Sequence, residues 1–117
     1  MSYMKFFPAE GEPRLVKVED KEKWYDQAKA LVCVPPVPGC LYGHKIGEWP
    51  DEEENRVICD LWARHKKQPE NSRVRMQGYY RLGVRVWGNL VMLPEKEGEF
   101  FGEDATLEIN CTNSGTT

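Results

Sequence analysis

The sequence lacks the features that mark several common classes of protein. No apolar run approaches the roughly 20 residues that a membrane-spanning helix requires. Residues 1–7 contain one Lys and a short apolar patch, without the longer apolar core and cleavage site of a signal peptide. We therefore expect a small soluble protein of the cytosol that makes no contact with a membrane. In that compartment the four cysteines should be reduced.

Catalytic signatures are also missing. The chain contains no Gly-x-Ser-x-Gly, no phosphate-binding P-loop and no Gly-rich dinucleotide fingerprint. Cys40 lies close to His44 in the sequence, as a nucleophile and its base would. Cys59 with His65 is a second conceivable pair, but no surrounding motif supports either. The prediction is that the chain is not an enzyme, has no catalytic residue and uses no cofactor.

The cysteine spacing gives little support to a metal site. Zinc takes four nitrogen or sulfur ligands in a tetrahedron. The chain offers Cys33, Cys40, His44 and Cys59, but the tight Cys-x2-Cys knuckle is absent. The alternative is that Cys33 and Cys59 are small buried hydrophobic residues and that Cys40 is a loop thiol. The prediction is no metal, with this set of four left open.

What the sequence contains is the composition of an ordinary folded domain, with a hydrophobic fraction of 40%. Residues 3–7 and 14–18 are β-prone runs joined by a segment rich in Pro and Gly, which predicts a hairpin. Asp20 is a suitable N-cap for a helix over residues 21–31, where Trp24, Ala28 and Leu31 form an apolar stripe.

Further strands are predicted downstream. Residues 56–62, 73–77 and 79–82 have strand character, and residues 105–111 are a candidate edge strand. The clearest strand is 84–93, whose apolar residues on both parities indicate a central position. Gly88 within it indicates a bulge or a close backbone approach. Residues 35–55 contain many Pro and Gly and are predicted to be irregular.

The predicted fold class is α+β, a small and mainly antiparallel sheet with an N-terminal hairpin and one principal helix packed on one face. Residues 1–112 should form a single globular domain with an irregular loop at 35–55, and residues 113–117 a frayed tail. One helix covers one face of a sheet. The loop or a second subunit must cover the other face, so a homo-oligomer is possible.

The charge is distributed unevenly along the chain. Residues 61–93 hold seven Lys or Arg and one Glu, whereas the net charge of the whole chain is −3. A basic block between acidic flanks indicates either internal pairing of charges or a surface for an anionic partner. Tyr79, Tyr80 and Trp87 lie among these cations. The candidate binding residues are Arg64, Lys66, Lys67, Arg73, Arg75, Tyr80, Arg81 and Arg85, together with Tyr42 and Trp49 of the loop.

Two partners suit this block. Arginines and exposed aromatics on a sheet bind single-stranded nucleic acid through phosphate contacts and base stacking. The same residue types form hot spots in protein interfaces. The acidic pI of about 5.4 argues against non-specific binding of nucleic acid. The alternation of the arginines along predicted strands favours one face of a small sheet, partly paired within the molecule.

The order of several short motifs is similar to that of a known family. Three segments precede the predicted helix: Lys5-Phe6-Phe7, Glu12-Pro13 and Val16-Lys17-Val18-Glu19. Val57-Ile58-Cys59-Asp60, Lys67-Gln68-Pro69-Glu70-Asn71 and Val86-Trp87-Gly88-Asn89-Leu90-Val91-Met92-Leu93 follow the helix. This order resembles a family of short uncharacterised proteins borne by bacteriophages, plasmids and related mobile elements. In that family a VICNE…LPxN run precedes a hydrophobic–x–Gly–x–hydrophobic strand.

The resemblance implies a small accessory protein of a virus or mobile element that acts in the host cytosol by binding a host component. That family has no established activity, so the resemblance assigns none to this chain. The leading hypothesis is therefore a non-enzymatic protein that inhibits or modulates a host protein. The alternative is a module that binds nucleic acid or nucleotides through the basic segment 64–85.

Overall fold

The computed structural model describes residues 1–33, 41–46, 55–60, 62–77, 83–94, 96 and 98–107. One short 3-10 turn, Lys21–Lys23, leads into the helix α1, Trp24–Val32. The strands are β1 Tyr3–Phe7, β2 Arg14–Lys17, β3 Leu41–Ile46, β4 Asn55–Asp60, β5 Glu70–Gln77, β6 Gly83–Trp87 and β7 Leu90–Pro94. The predicted α+β class, with an N-terminal hairpin and one helix, is confirmed.

Five strands form one sheet in the order β2-β1-β7-β4-β3, and each neighbouring pair is antiparallel. The central strand β7 pairs with β1 through Phe6 opposite Val91, and with β4 through Ile58 opposite Val91. All the apolar residues of β7 from Leu90 to Leu93 are buried. A strand that is apolar on both sides is expected where both faces of a sheet are covered.

Helix α1 covers the first face. Asp20 Oδ1 accepts a hydrogen bond from Glu22 N at 2.9 Å, which is the predicted cap. Ala28 and Val32 are fully buried against a cluster that includes Phe6 and Val91. Trp24, expected to be the largest anchor, is only partly buried. The predicted helix over residues 21–31 is confirmed, with the buried stripe centred on Ala28 and Val32.

The second face is covered within the chain. Strands β5 and β6 form a separate two-stranded ribbon, and Val86 of β6 packs with Phe7 and Leu90 of the main sheet. Phe101 packs on the same cluster and pairs with Tyr3 through two backbone hydrogen bonds. A second subunit is therefore not required to cover this face.

The prediction of one continuous strand over residues 84–93 is wrong. The chain turns at Gly88 and Asn89, so β6 and β7 belong to different sheets. Asn89 fixes the turn: its Oδ1 accepts from Ala9 N at 2.9 Å and its Nδ2 donates to the Leu31 carbonyl at 3.1 Å. A close backbone approach is predicted at Gly88, and the strand is interrupted at this residue.

Asn71, at the start of β5, joins the ribbon to the main sheet. Its Nδ2 donates to the Phe7 carbonyl at 2.9 Å and to the Gly88 carbonyl at 3.2 Å, and its Oδ1 accepts from Arg73 N at 3.2 Å. The side chain is buried. Buried amides of this kind stabilise a fold only when their bonding groups are satisfied, as they are here.

The irregular segment predicted over residues 35–55 contains a strand. Residues 41–46 form β3, which pairs with β4 over six residue pairs. Gly43 and Lys45 are poor strand formers, so pairing with a distant strand overrides the local preference. Asn55 begins β4, and residues 35–40 and 47–54 lie outside the described residues. So do residues 79–82 and the tail 113–117, and the domain limits of 1–112 stay a prediction.

The predicted edge strand over residues 105–111 is not formed in its described part, because residues 105–107 carry no strand. The described helices are short, and none of them is long and apolar enough to cross a membrane.

Candidate functional site

Residues 62–67 hold three of the predicted binding residues and are called the basic turn below. Asp60, the last residue of β4, starts the turn. Its Oδ1 accepts a hydrogen bond from Trp62 N at 2.9 Å, and its carbonyl accepts one from Ala63 N at 3.2 Å. The Asp60 side chain is fully buried. This cap fixes where β4 ends and the basic turn begins.

The basic turn ends in a Schellman motif. Gln68 N donates to the Ala63 carbonyl at 3.0 Å, and Lys67 N donates to the Arg64 carbonyl at 3.0 Å. Lys67 occupies the position of this motif that adopts the left-handed conformation, and the φ of Lys67 is 59°. Glycine is usual there, because a Cβ in that conformation costs about 1–2 kcal/mol. The exposed Lys67 therefore occupies a position that favours glycine.

One side of the basic turn packs against the junction of β6 and β7. Gly88 N donates to the Pro69 carbonyl at 2.8 Å. A Cβ at Gly88 would lie 2.4 Å from Gln68 Oε1 and 3.0 Å from the Ala63 Cβ, and φ there is +77°. Ala63 itself is buried. The basic turn therefore packs closely on the body of the protein beside Gly88, whose φ and closeness to the Ala63 Cβ favour glycine.

The other side of the basic turn is exposed and carries aromatic and basic groups. Trp62 is 51% exposed, and its ring lies 5.4 Å from that of His65, tilted by 50°. The Arg64 guanidinium carbon lies over the Trp87 ring, 5.0 Å from its centroid. Arginine stacked on tryptophan keeps the edge of its guanidinium available for hydrogen bonds.

Several cations of the segment are paired with carboxylates. Lys66 Nζ donates to the buried Asp60 Oδ2 at 2.8 Å. Arg73 Nη2 donates to Glu12 Oε1 at 2.9 Å, across the surface between β5 and the β1–β2 turn. Both pairs are internal to the chain. The first restrains the basic turn, and the second lies exposed, where pairs contribute little to stability.

Arg85 has a stronger partner. Its Nε and Nη2 donate to Glu70 Oε1 and Oε2 at 2.7 and 2.8 Å. These hydrogen bonds, with the charge of Glu70, raise the pKa of the Arg85 guanidinium further above its ordinary value. Arg85 also lies over Trp87, 5.1 Å from the ring centroid. Arg64 shares that ring but has no carboxylate partner among the described residues, and neither has Lys67.

The structure describes only some of the remaining predicted residues. The register places Arg75 of β5 opposite Arg85 of β6, and Tyr42 of β3 opposite Cys59 of β4. Tyr80, Arg81 and Trp49 lie outside the described residues. The expectation that Arg73, Arg75, Arg81 and Arg85 share one face stays a prediction, because Arg81 and the side chain of Arg75 lie outside what the structure describes.

Trp62 and His65 are not among the predicted binding residues. The sequence pattern puts Trp62 at the end of a strand over residues 56–62, where an apolar residue would be buried. The signal that identifies its exposure is Asp60, because an Asp two residues before Trp62 forms a cap that ends the strand first. Trp87 lies among the cations in the sequence, and the structure places it between Arg64 and Arg85.

The described cysteines do not form a reactive or ligating site. Burial, with a smaller effect of the neighbouring Asp60 charge, raises the pKa of the free Cys59 thiol to about 11, so it is protonated and unreactive at neutral pH. Cys33 is disulfide-bonded, and its partner lies outside the described residues. The expectation of four reduced cysteines is therefore wrong for Cys33.

A disulfide sulfur is not a zinc ligand, so Cys33 is removed from the candidate set of four in this state. Among the described residues no group of three or more His, Cys, Asp or Glu is placed to hold a metal ion.

Comparisons with protein-family models, with curated proteins and with solved structures find no match for this chain. The arguments for its function therefore rest on the geometry of the basic turn and on the chemistry of its side chains.

Proposed function

We propose that the chain is a small non-enzymatic accessory protein that binds a host protein through the basic turn and thereby inhibits or modulates it. The observation that carries this proposal is Trp62, half-exposed on a turn that is capped at both ends. A large aromatic ring in water is unfavourable unless a partner covers it.

The composition of the turn supports a protein interface. Tryptophan and arginine are the residue types most enriched in interface hot spots, and the basic turn presents Trp62 and Arg64. The cap, the Schellman motif and the contact with Gly88 fix the backbone before binding. A preorganised backbone loses less conformational entropy on association. A typical partner covers about 800 Å² of surface, enough to cover the exposed side of a six-residue turn.

The proposal includes a non-catalytic role in the host cytosol for a protein of phage or mobile-element origin. The resemblance of residues 5–93 is the support for that origin. The raised pKa of the Cys59 thiol supports the view that Cys59, the free cysteine among the described residues, is not a thiolate nucleophile. The observation against a cytosolic location is the Cys33 disulfide, because glutathione and thioredoxin keep cytosolic thiols reduced.

A second candidate is the nucleic-acid or nucleotide-binding module. The observation that favours it is the pair of arginines over the Trp87 ring, since guanidinium planes stack on bases. The observation against it is the pairing of Lys66, Arg73 and Arg85 with carboxylates, which leaves fewer charges for phosphates.

The test is affinity capture from a host lysate, quantified by mass spectrometry, with wild type, Trp62→Ala and Tyr25→Ala as baits. Tyr25 is the matched control, because it is 44% exposed on α1, away from the basic turn in sequence. We expect wild type and Tyr25→Ala to retain one stoichiometric partner and Trp62→Ala to lose it. Equal retention by all three baits, or no stoichiometric partner, would refute the proposal. A salt-dependent shift of an oligonucleotide without a protein partner would favour the module instead.

A further inference from the structure

We infer that the partner presents an acidic segment to the basic turn, with carboxylates for Arg64 and Lys67 beside an apolar group that covers Trp62. This inference rests on the proposed function and specifies the chemistry of the partner. It follows from the pairing of the described cations, from the backbone conformation of Lys67 and from the exposed ring.

The pairing divides the cations of the segment into two groups. Lys66, Arg73 and Arg85 each donate to a carboxylate of the same chain at 2.9 Å or less. Arg64 and Lys67 are exposed, and no carboxylate of the described residues pairs with either. Among the described side chains of residues 61–93, the cations without a carboxylate partner are therefore Arg64 and Lys67, and both lie on the basic turn.

The geometry of Arg64 suits a carboxylate. Its guanidinium carbon lies over the Trp87 ring, 5.0 Å from the centroid, a cation–π contact that holds the group beside the ring. A guanidinium offers two parallel N–H groups that match the two oxygens of a carboxylate. Arg85, on the same ring, shows this bidentate arrangement with Glu70 inside the molecule. We expect Arg64 to form the corresponding pair with a carboxylate of the partner.

The conformation of Lys67 points to the same conclusion. Lysine occupies the left-handed position of a Schellman motif, with φ of 59°, where glycine would relieve the strain. Within the described residues no contact of its ammonium offsets that cost. Strain of this kind on an exposed residue is accounted for when the side chain serves binding. An ammonium on a rigid turn is a suitable partner for a second carboxylate.

A carboxylate source is favoured over the phosphates of a nucleic acid. Polyanions bind through many cations at once, whereas three of the described cations are already neutralised and the chain carries a net charge of −3. A short acidic segment needs only the two cations available here.

The experiment is selection of a displayed random-peptide library on wild type and on the double variant Arg64→Glu, Lys67→Glu. The matched control is Lys21→Glu, Lys23→Glu, which makes the same change of charge at two exposed lysines before α1. Circular dichroism confirms that each variant is folded. We expect wild type and the control to select peptides rich in Asp and Glu beside an apolar residue. The double variant should lose that selection, with affinity for a representative peptide about tenfold or more weaker.

Three results would overturn the inference. The first is that the double variant selects the same acidic peptides as wild type, or that wild type selects no acidic peptides. The second is tighter binding of a single-stranded oligonucleotide than of the peptides, lost in the same variant. The third is that the wild-type protein associates with itself at low salt, as detected by light scattering, and that the Arg64→Glu, Lys67→Glu variant does not. If the lysate partner depends on Trp62 but not on Arg64 and Lys67, the proposed function stands and this inference fails.

Discussion

The two sides of the basic turn differ in what their side chains contact. On the buried side Asp60 and Ala63 are buried, Asp60 accepts a hydrogen bond from Trp62 N, and a Cβ at Gly88 would lie 3.0 Å from the Ala63 Cβ. On the exposed side Trp62 and Arg64 contact only other surface groups among the described residues. One short segment therefore has a packed side, which holds the fold together, and an exposed side, for which we propose binding. Substitutions on the buried side should change stability, and those on the exposed side should change binding.

The largest expected effect is that of Gly88→Ala on the buried side. The new Cβ would meet Gln68 Oε1 and the Ala63 Cβ, and φ of +77° is strained for any L residue. We expect a loss of about 2–4 kcal/mol in the free energy of unfolding, measured by urea denaturation.

Gly98→Ala is the matched control, because φ there is +87° and nothing lies within 4 Å of a Cβ. It should cost about 1–2 kcal/mol through backbone strain alone. Equal losses for the two variants would show that Gly88 is not needed for packing of the basic turn.

Asp60→Ala should have the next largest effect. It removes the cap on Trp62 N and leaves the Lys66 ammonium without its buried partner. We expect a loss of about 2–3 kcal/mol in the free energy of unfolding. Asp20→Ala, which removes an exposed cap of the same geometry before α1, should cost about 1 kcal/mol. If both variants lose the same amount, the Lys66 pair contributes nothing.

Cys59, next to Asp60, predicts a dependence on pH. The pKa of the folded thiol is raised from 9.0 to about 11, so the folded state retains a proton that the unfolded state releases. The thiol's contribution is fully present below pH 9 and is lost as pH rises through 11. We expect wild type to lose about 2 kcal/mol more than Cys59→Ala over that window. Parallel stability profiles for the two proteins would contradict this.

Lys67→Gly, on the exposed side, should affect both stability and binding, in opposite directions. Relief of the left-handed strain should raise the free energy of unfolding by about 0.5–1 kcal/mol after the entropy cost of glycine. The same variant should weaken the selection of acidic peptides. Thermal denaturation and peptide titration measure the two effects. A destabilised variant would mean that Lys67 makes a contact that holds the turn.

The parts of the fold that the sequence predicts correctly depend on local signals. The cap at Asp20 and the Pro- and Gly-rich turn between β1 and β2 act within a few residues of where they occur. The break at Gly88 is not predicted, because apolar residues on both sides of it form one continuous pattern. The strand β3 is missed for a related reason, since its pairing with β4 overrides weak local preferences.

The candidate site is predicted only in outline. The excess of cations in residues 61–93 locates the basic turn, but it does not show which cations are paired. Arg73 meets Glu12 across a separation of 61 residues, and a sequence pattern carries no such information. Trp62 is missed because its apolar character predicts burial. Its exposure depends on the Asp60 cap, which ends β4 before it.

Photocrosslinking in the host cell tests the role of the basic turn most directly. A photoreactive phenylalanine analogue would replace Trp62 in one version of the chain and Tyr25 in another, since both positions are exposed. We expect irradiation to give a discrete adduct with one host protein from position 62 and none from position 25. Equal adducts from both positions, or an adduct with nucleic acid at position 62, would contradict a protein-binding role for the basic turn.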